Sequence, residues 1–110
     1  MTVRFHTYVR ALHELRCQLL RILKQMSWDA GFKTSKRDPY KFRIRLGKIK
    51  IAVVEVKRVV KVLQIRVAFY DDFIVFNRVF GLRNTRSVKP WFRKVIKRMK
   101  DECLSRVMSI

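Results

Sequence analysis

Acidic residues are what this chain has least of. Only 8 Asp and Glu stand against 27 Lys and Arg, a formal net charge of +19 with a sequence pI near 11.2. A small domain stays in solution with a net charge of about 2 to 8, and a charge as large as this one repels itself and weakens the compact state. The excess points to an anionic partner. Nucleic acid is the commonest partner of a domain whose pI exceeds about 9; an anionic membrane surface and an acidic protein are the other classes that the charge admits.

Other absences narrow the field. No window approaches the ~18 consecutive apolar residues of a membrane span, and the N-terminus lacks the unbroken apolar run of a secretory signal. Both absences point to a soluble, intracellular, cytoplasmic protein. Residues 1–25, with Arg4, Arg10, Arg16 and Arg21 against Glu14 alone, also fit an Arg-rich mitochondrial presequence, although the same stretch reads as a structural helix. The two cysteines, Cys17 and Cys103, have no CxxC spacing, which argues against structural zinc and for reduced thiols. His6 and His13 lie two helical turns apart, about 10.5 Å, too far to share a metal ion. Asp71-Asp72 reads as a turn and Asp101-Glu102 as an exposed pair. Neither a Gly-rich phosphate loop nor a nucleophile elbow occurs. No cofactor or metal is expected, and an enzyme is disfavoured.

What is present is periodicity. The 110 residues, 49% apolar, suffice for a single α+β domain over 1–110. Phe5, Tyr8, Leu12, Leu15, Leu19, Ile22 and Met26 recur at spacings of 3 and 4, which predicts an N-terminal helix of about six turns stopped at Gly31. A basic loop over 31–38 follows. The period then changes to 2, predicting a four-stranded antiparallel meander. Strand one covers about 40–46, and Gly47-Lys48 turns it into a second strand from Ile49 to about Val56. The register sets Ile44 opposite Ile51, Phe42 opposite Val53, Arg43 opposite Ala52 and Arg45 opposite Lys50. A three-residue connection, Lys57–Val59, leads into the third strand and sets Glu55 against Lys61, because a two-residue turn in this register would push Gln64 and Arg66 into the core. A fourth strand, 73–80, is apolar on both faces, and as an edge it calls for cover by a helix, a second subunit or a partner. Ser87 caps a C-terminal helix with Pro90 in its first turn, Val88, Trp91, Phe92, Val95, Ile96, Met99, Cys103 and Val107 inside, and Lys89, Arg93, Lys94, Lys97 and Lys100 outside.

Three basic elements are candidate phosphate contacts. The first is the strand face Lys41, Arg43, Arg45, Lys50 and Arg66. The second is the loop with Lys33, Lys36 and Arg37. The third is the final helix with its preceding loop, where Arg83, Arg86 and Lys89 meet a helix N-terminus that favours anions, continuing through Arg93, Lys94, Lys97 and Lys100. Such contacts position a nucleic acid without reading its sequence, and no base-reading motif of the RRM, KH or zinc-finger kind is present. Trp28, Phe32, Tyr70 and Trp91 lie where a base could stack.

The run from YKFRIR through FIVFNRVFGLRNTRSVKP into a basic helix resembles the second half of RelE/HigB-like ribonuclease toxins, over residues 40–100 at most. The resemblance would imply messenger-RNA cleavage, with Arg78, Arg83 and Arg86 as the residues to suspect. The sequence departs from the family in lacking a strand before the helix and a recognisable basic catalytic group. The preferred expectation is a non-enzymatic binder of structured RNA within a ribonucleoprotein assembly. A small basic inhibitor of a nucleic-acid-binding machine is the other alternative, suggested by the outward valines Val54, Val56, Val60 and Val62 as a protein-docking face.

Overall fold

The computed structural model describes residues 2–70, 75–82 and 84–108, with side chains over 7–70, 75–82 and 84–104. The apolar stripe of the first thirty residues forms one long helix, α1 (Thr2–Asp29). It buries Leu12, Leu19, Leu20 and Leu23, flanked by the half-buried Tyr8, Leu15 and Met26. Gly31 ends it at φ 92°, the left-handed conformation in which a glycine closes a helix without a Cβ clash. The Gly31 and Phe32 amides donate to the Trp28 and Ser27 carbonyls at 2.9 and 3.0 Å. The buried Ser27 hydroxyl donates back to the Leu23 carbonyl at 2.8 Å, which satisfies a polar group inside the apolar stripe.

Five antiparallel strands follow in sequential order: β1 (Lys33–Asp38), β2 (Lys41–Leu46), β3 (Ile49–Val59), β4 (Val62–Phe69) and β5 (Val75–Phe80). The expected meander has four strands, and the segment read as a loop supplies the fifth. KTSKRD carries no apolar alternation, so its strand character comes from the backbone ladder it forms with β2 and not from burial. As an edge rich in Lys and Arg it is also protected against pairing with another chain.

The β2–β3 pairing begins as expected, Leu46 opposite Ile49 and Arg45 opposite Lys50, and then slips. Ile44 faces Ala52, Arg43 faces Val53 and Phe42 faces Val54, because β3 carries one extra residue at Ile51, a β-bulge. Ile51 and Ala52 are both fully buried there. Beyond the bulge every side chain of β3 changes face. Val54 and Val56, expected outside, are completely buried, while Val53 and Glu55 look outward.

The second connection differs as well. β3 runs on to Val59, which pairs with Val62 across the two residues Val60 and Lys61. The bulge removes the objection to this short turn: with β3 reversed, Gln64 and Arg66 stay outside while Leu63, Ile65 and Val67 remain in the core. Glu55 accordingly faces Arg66 on β4 and forms an ion pair with Lys41 on β2 at 3.0 Å, not with Lys61.

After β5 a short 3₁₀ turn (Thr85–Ser87) leads into α2 (Val88–Met108). Val88, Phe92, Val95, Ile96, Met99 and Cys103 join the core, and Trp91 packs edge-on to Phe80 with centroids 5.9 Å apart. The Ser87 hydroxyl donates backward to the Asn84 carbonyl at 2.9 Å, so it ties the 3₁₀ turn together. Both helices cover the same face of the sheet. The core lies between those two layers, and the other sheet face is open. The expectations at Asp71-Asp72, Phe73, Ile74, Arg83 and Val107 fall outside the described residues or side chains. β5 lies at the sheet edge beside β4 alone, with Val75 and Val79 exposed and Phe80 buried. No helix among the described residues is long and apolar enough to cross a membrane.

Candidate nucleic-acid interface

β2 builds the centre of the open face. Phe42 and Ile44 are fully buried under the helices, so alternation sends Lys41, Arg43 and Arg45 to the opposite side at about 6.8 Å intervals. The neighbouring strands extend the charge laterally. Lys33 pairs with Arg45 across β1–β2, and Lys50 pairs with Arg45 across β2–β3, so three cations cross the sheet in one row. Ser35 and Val53 flank Arg43 in the next row. In the third, Lys41, Glu55 and Arg66 stand side by side, and Arg37, at the irregularity between Lys36 and Asp38, reaches the same shallow groove.

These positions are not electrostatically equal. Lys41 is matched by Glu55 at 3.0 Å, so it has least charge to offer a ligand. Arg43 and Arg45 are half-buried, and the Nε of each is shielded from solvent without a hydrogen-bond partner. Like charges directly opposite destabilise a sheet by about 0.2 to 1 kcal/mol, and a shielded, unpaired N–H adds to that cost.

The other sequence candidates go elsewhere. Lys36 shares the register of the inward-facing Phe42 and is exposed at the edge on the helical side. Lys89, Arg93, Lys94, Lys97 and Lys100 are all exposed on α2; Lys94 and Lys97 lie opposite its buried stripe, on the far side of the molecule from the open sheet, and the other three lie toward α1. Lys89, Arg93 and Lys100 border a groove of about 490 Å³ against α1, floored by Ile22, Met26 and Ile96. Arg86 and Lys89 border a smaller one near Leu15 and Ile22. The basic residues singled out from sequence thus do not form one surface: one group lies on the open sheet face and the others at the sheet edge, along the groove with α1 and on the outer side of α2, with Arg83 outside the described residues.

Of the aromatic candidates, Phe32 is core and Trp91 packs against Phe80 and Phe92. Trp28 and Tyr70 are exposed, and the Trp28 indole N–H donates to the Thr34 hydroxyl at 2.8 Å. Arg78 lies on β5 with its guanidinium 6.0 Å from the Phe80 ring, and Arg86 is exposed on the 3₁₀ turn. No group of three or more His, Cys, Asp or Glu that could hold a metal occurs among the described residues.

A second basic cluster escaped the sequence reading. Arg16 projects from the middle of α1 onto the end of the sheet, where its Nε donates to the Val56 carbonyl at 2.7 Å and its guanidinium lies 3.3 Å from the centre of the Tyr40 ring. Burial lowers its pKa, partly offset by the Tyr40 hydroxyl and Glu55. His13 meets the same ring edge-on, and its Nε2 is 3.9 Å from the Cys17 sulfur. Only the three-dimensional contact between Tyr40 and α1 reveals this cluster, and no local spacing encodes it.

Neither a protein-family model, a curated protein nor a solved structure matches this chain.

Proposed function

We propose that the protein binds RNA through the open face of its sheet, neutralising backbone phosphates within a ribonucleoprotein assembly. The observation that carries this reading is the row Lys33–Arg45–Lys50 with Arg43 beside it. Among them the shielded Nε atoms of Arg43 and Arg45 have no hydrogen-bond partner, a cost that a bound anion would remove. Among the described residues only Trp28 and Tyr70 are exposed aromatics, which suits recognition of backbone and shape over recognition of base edges. The basic stripe of α2, facing the opposite way, supports a place between two RNA segments, as an assembly protein requires. Of the four valines that favoured a protein-inhibitor role, Val54 and Val56 are core residues, while Val60 is exposed and Val62 half-buried.

The test is a salt series with duplex RNA, single-stranded RNA and duplex DNA, and gels alongside for cleavage. Each phosphate contact contributes about 0.7 to 0.9 to the slope of log K against log salt. The double variant Arg43→Gln/Arg45→Gln is expected to weaken binding to all sequences alike and to reduce the slope by about 1.4 to 1.8. Lys94→Gln/Lys97→Gln is expected to change the slope at the first RNA bound by less than that. A slope untouched by the β2 pair would overturn the sheet-face reading, and metal-independent cleavage would favour the ribonuclease resemblance.

A further inference from the structure

At the end of the sheet where β3 turns into β4, the N-terminal half of α1 leaves a recess of about 360 Å³ lined by Val9, Arg10, Leu12, His13, Arg16 and Arg58. It opens on the helical side of the sheet, away from the row of cations on β2. Three arginines and a histidine therefore border one space, and carbon makes up most of its exposed lining.

Their charge is not answered within the chain. Among the described residues none of Arg10, Arg16 and Arg58 takes part in an ion pair. The nearby carboxylate that acts on Arg16 is Glu55, and it is already held by Lys41 at 3.0 Å. Arg16 is the fixed member. The Val56 carbonyl and the Tyr40 ring hold its guanidinium in one orientation, and burying a cation is costly unless it is paired. Tyr40 stacking and one carbonyl offset part of that cost. Arg58 is also oriented, since its Nη1 donates to the Val60 carbonyl at 3.1 Å. Arg10 is exposed at the rim. Guanidinium forks match the planar edges of phosphate oxygens and remain charged at any physiological pH.

We infer that this recess is a phosphomonoester site: Arg10, Arg16 and Arg58 bind the dianionic phosphate, His13 borders it, and the Val9 and Leu12 side chains accommodate the organic group it carries. A phosphomonoester fits better than a backbone phosphodiester because it carries up to two charges where a diester carries one. The group could be the end of an RNA strand or a free nucleotide, and the two sources are separable by experiment. The inference does not depend on the sheet-face reading, because its residues and its face are different.

The experiment compares one oligoribonucleotide sequence bearing a 5′-phosphate, a 3′-phosphate or hydroxyl ends, binding to the wild type and to Arg10→Gln/Arg58→Gln. In parallel, the melting temperature of both proteins is followed with adenosine 5′-monophosphate, inorganic phosphate and sulfate. Loss of two charges weakens all oligonucleotides alike, so the quantity read is the ratio between phosphorylated and hydroxyl ends. If a strand end is the ligand, one phosphorylated end binds about tenfold tighter than the hydroxyl form to the wild type, and the ratio falls to near one in the variant. If a free nucleotide is the ligand, the ends do not discriminate, but the monophosphate raises the melting temperature of the wild type above what sulfate does, and not that of the variant. Both side chains are exposed, and melting without phosphate checks that the variant folds; the single variants Arg10→Gln and Arg58→Gln serve in its place if it does not. Equal ratios and equal melting shifts in wild type and variant would overturn the site, as would phosphate effects that survive the substitutions.

Discussion

Val60 occupies the first position of the β3–β4 turn with φ 53°, a backbone region that β-branched residues rarely enter because Cβ approaches the carbonyl oxygen. Its side chain is 74% exposed, so it gains little from burial in return. Asn tolerates this conformation far better. Val60→Asn is therefore expected to stabilise the fold by about 1 kcal/mol, or about 4 to 8 °C in Tm for a chain of this size. The neighbouring Val59→Asn has no such conformational conflict to relieve and serves as the control. Thermal melts of the two variants check the prediction, and an equal response at both positions would remove the strain from the account. Arg16 shows a different residue-scale compromise. Its carbonyl bond and its stacking on Tyr40 bind α1 to the sheet end while leaving a half-buried positive charge beside a recess. None of this could be read from the chain, because a lone Arg on a basic helix looks like any other until its partners, 24 and 40 residues away, are known.

At the scale of elements, periodicity was informative wherever alternation was clean. The stripe of α1, the strand KFRIRL and the inner face of α2 all form as their spacing implies, and with them Arg43, Arg45 and the α2 lysines reach the surface. Two places defeated it. β1 has no apolar residue to betray its strand character, and IAVV in β3 is apolar throughout, so its sequence cannot say where the alternation breaks. The extra residue at Ile51 and the two-residue turn at Val60-Lys61 are opposite errors that compensate. Together they return β4 to the expected orientation while reversing the outer half of β3. This register makes a paired prediction. Val54 is fully buried and Val53 is half-buried on the open face, so Val54→Thr places a hydroxyl in the core and is expected to cost about 1 to 3 kcal/mol. Val53→Thr is expected to stay within about 0.5 kcal/mol of wild type. Urea titrations of the two proteins distinguish them, and the reverse order of stabilities would restore the unbulged pairing. The bulge also matters for the interface. By bringing Glu55 outward beside Lys41 and Arg66, it neutralises one corner of the basic face and leaves Arg43 and Arg45, whose Nε atoms have no hydrogen-bond partner, away from that carboxylate.

For the whole molecule, salt acts on two opposed terms. A chain with a net charge of +19 spreads its repulsion over both the open sheet and the outer side of α2, and 8 acidic residues cannot offset 27 basic ones even where they pair, as in Lys41–Glu55 and Arg98–Glu102 at 3.7 Å. Surface pairs of this kind contribute about 0 to 1 kcal/mol each. Monovalent salt shortens the screening length from roughly 30 Å at 0.01 M to 3 Å at 1 M, so it weakens the repulsion between neighbouring faces more than it weakens the pairs in direct contact. The free protein is therefore expected to melt several degrees higher at 0.5 M than at 0.05 M sodium chloride. Binding to RNA is expected to move the other way over the same range, because added salt reduces the gain from counterion release. The two effects cross in one measurable quantity, the rise in Tm caused by saturating RNA, which should be large at low salt and vanish at high salt. Arg43→Gln/Arg45→Gln should reduce that rise at low salt while raising the Tm of the free protein, since it removes members of the crowded row that only an anion relieves. A free protein that melts lower at high salt would place the repulsion elsewhere, in contacts that salt disrupts, and would leave the β2 arginines without the conflict that makes an anionic partner their natural complement.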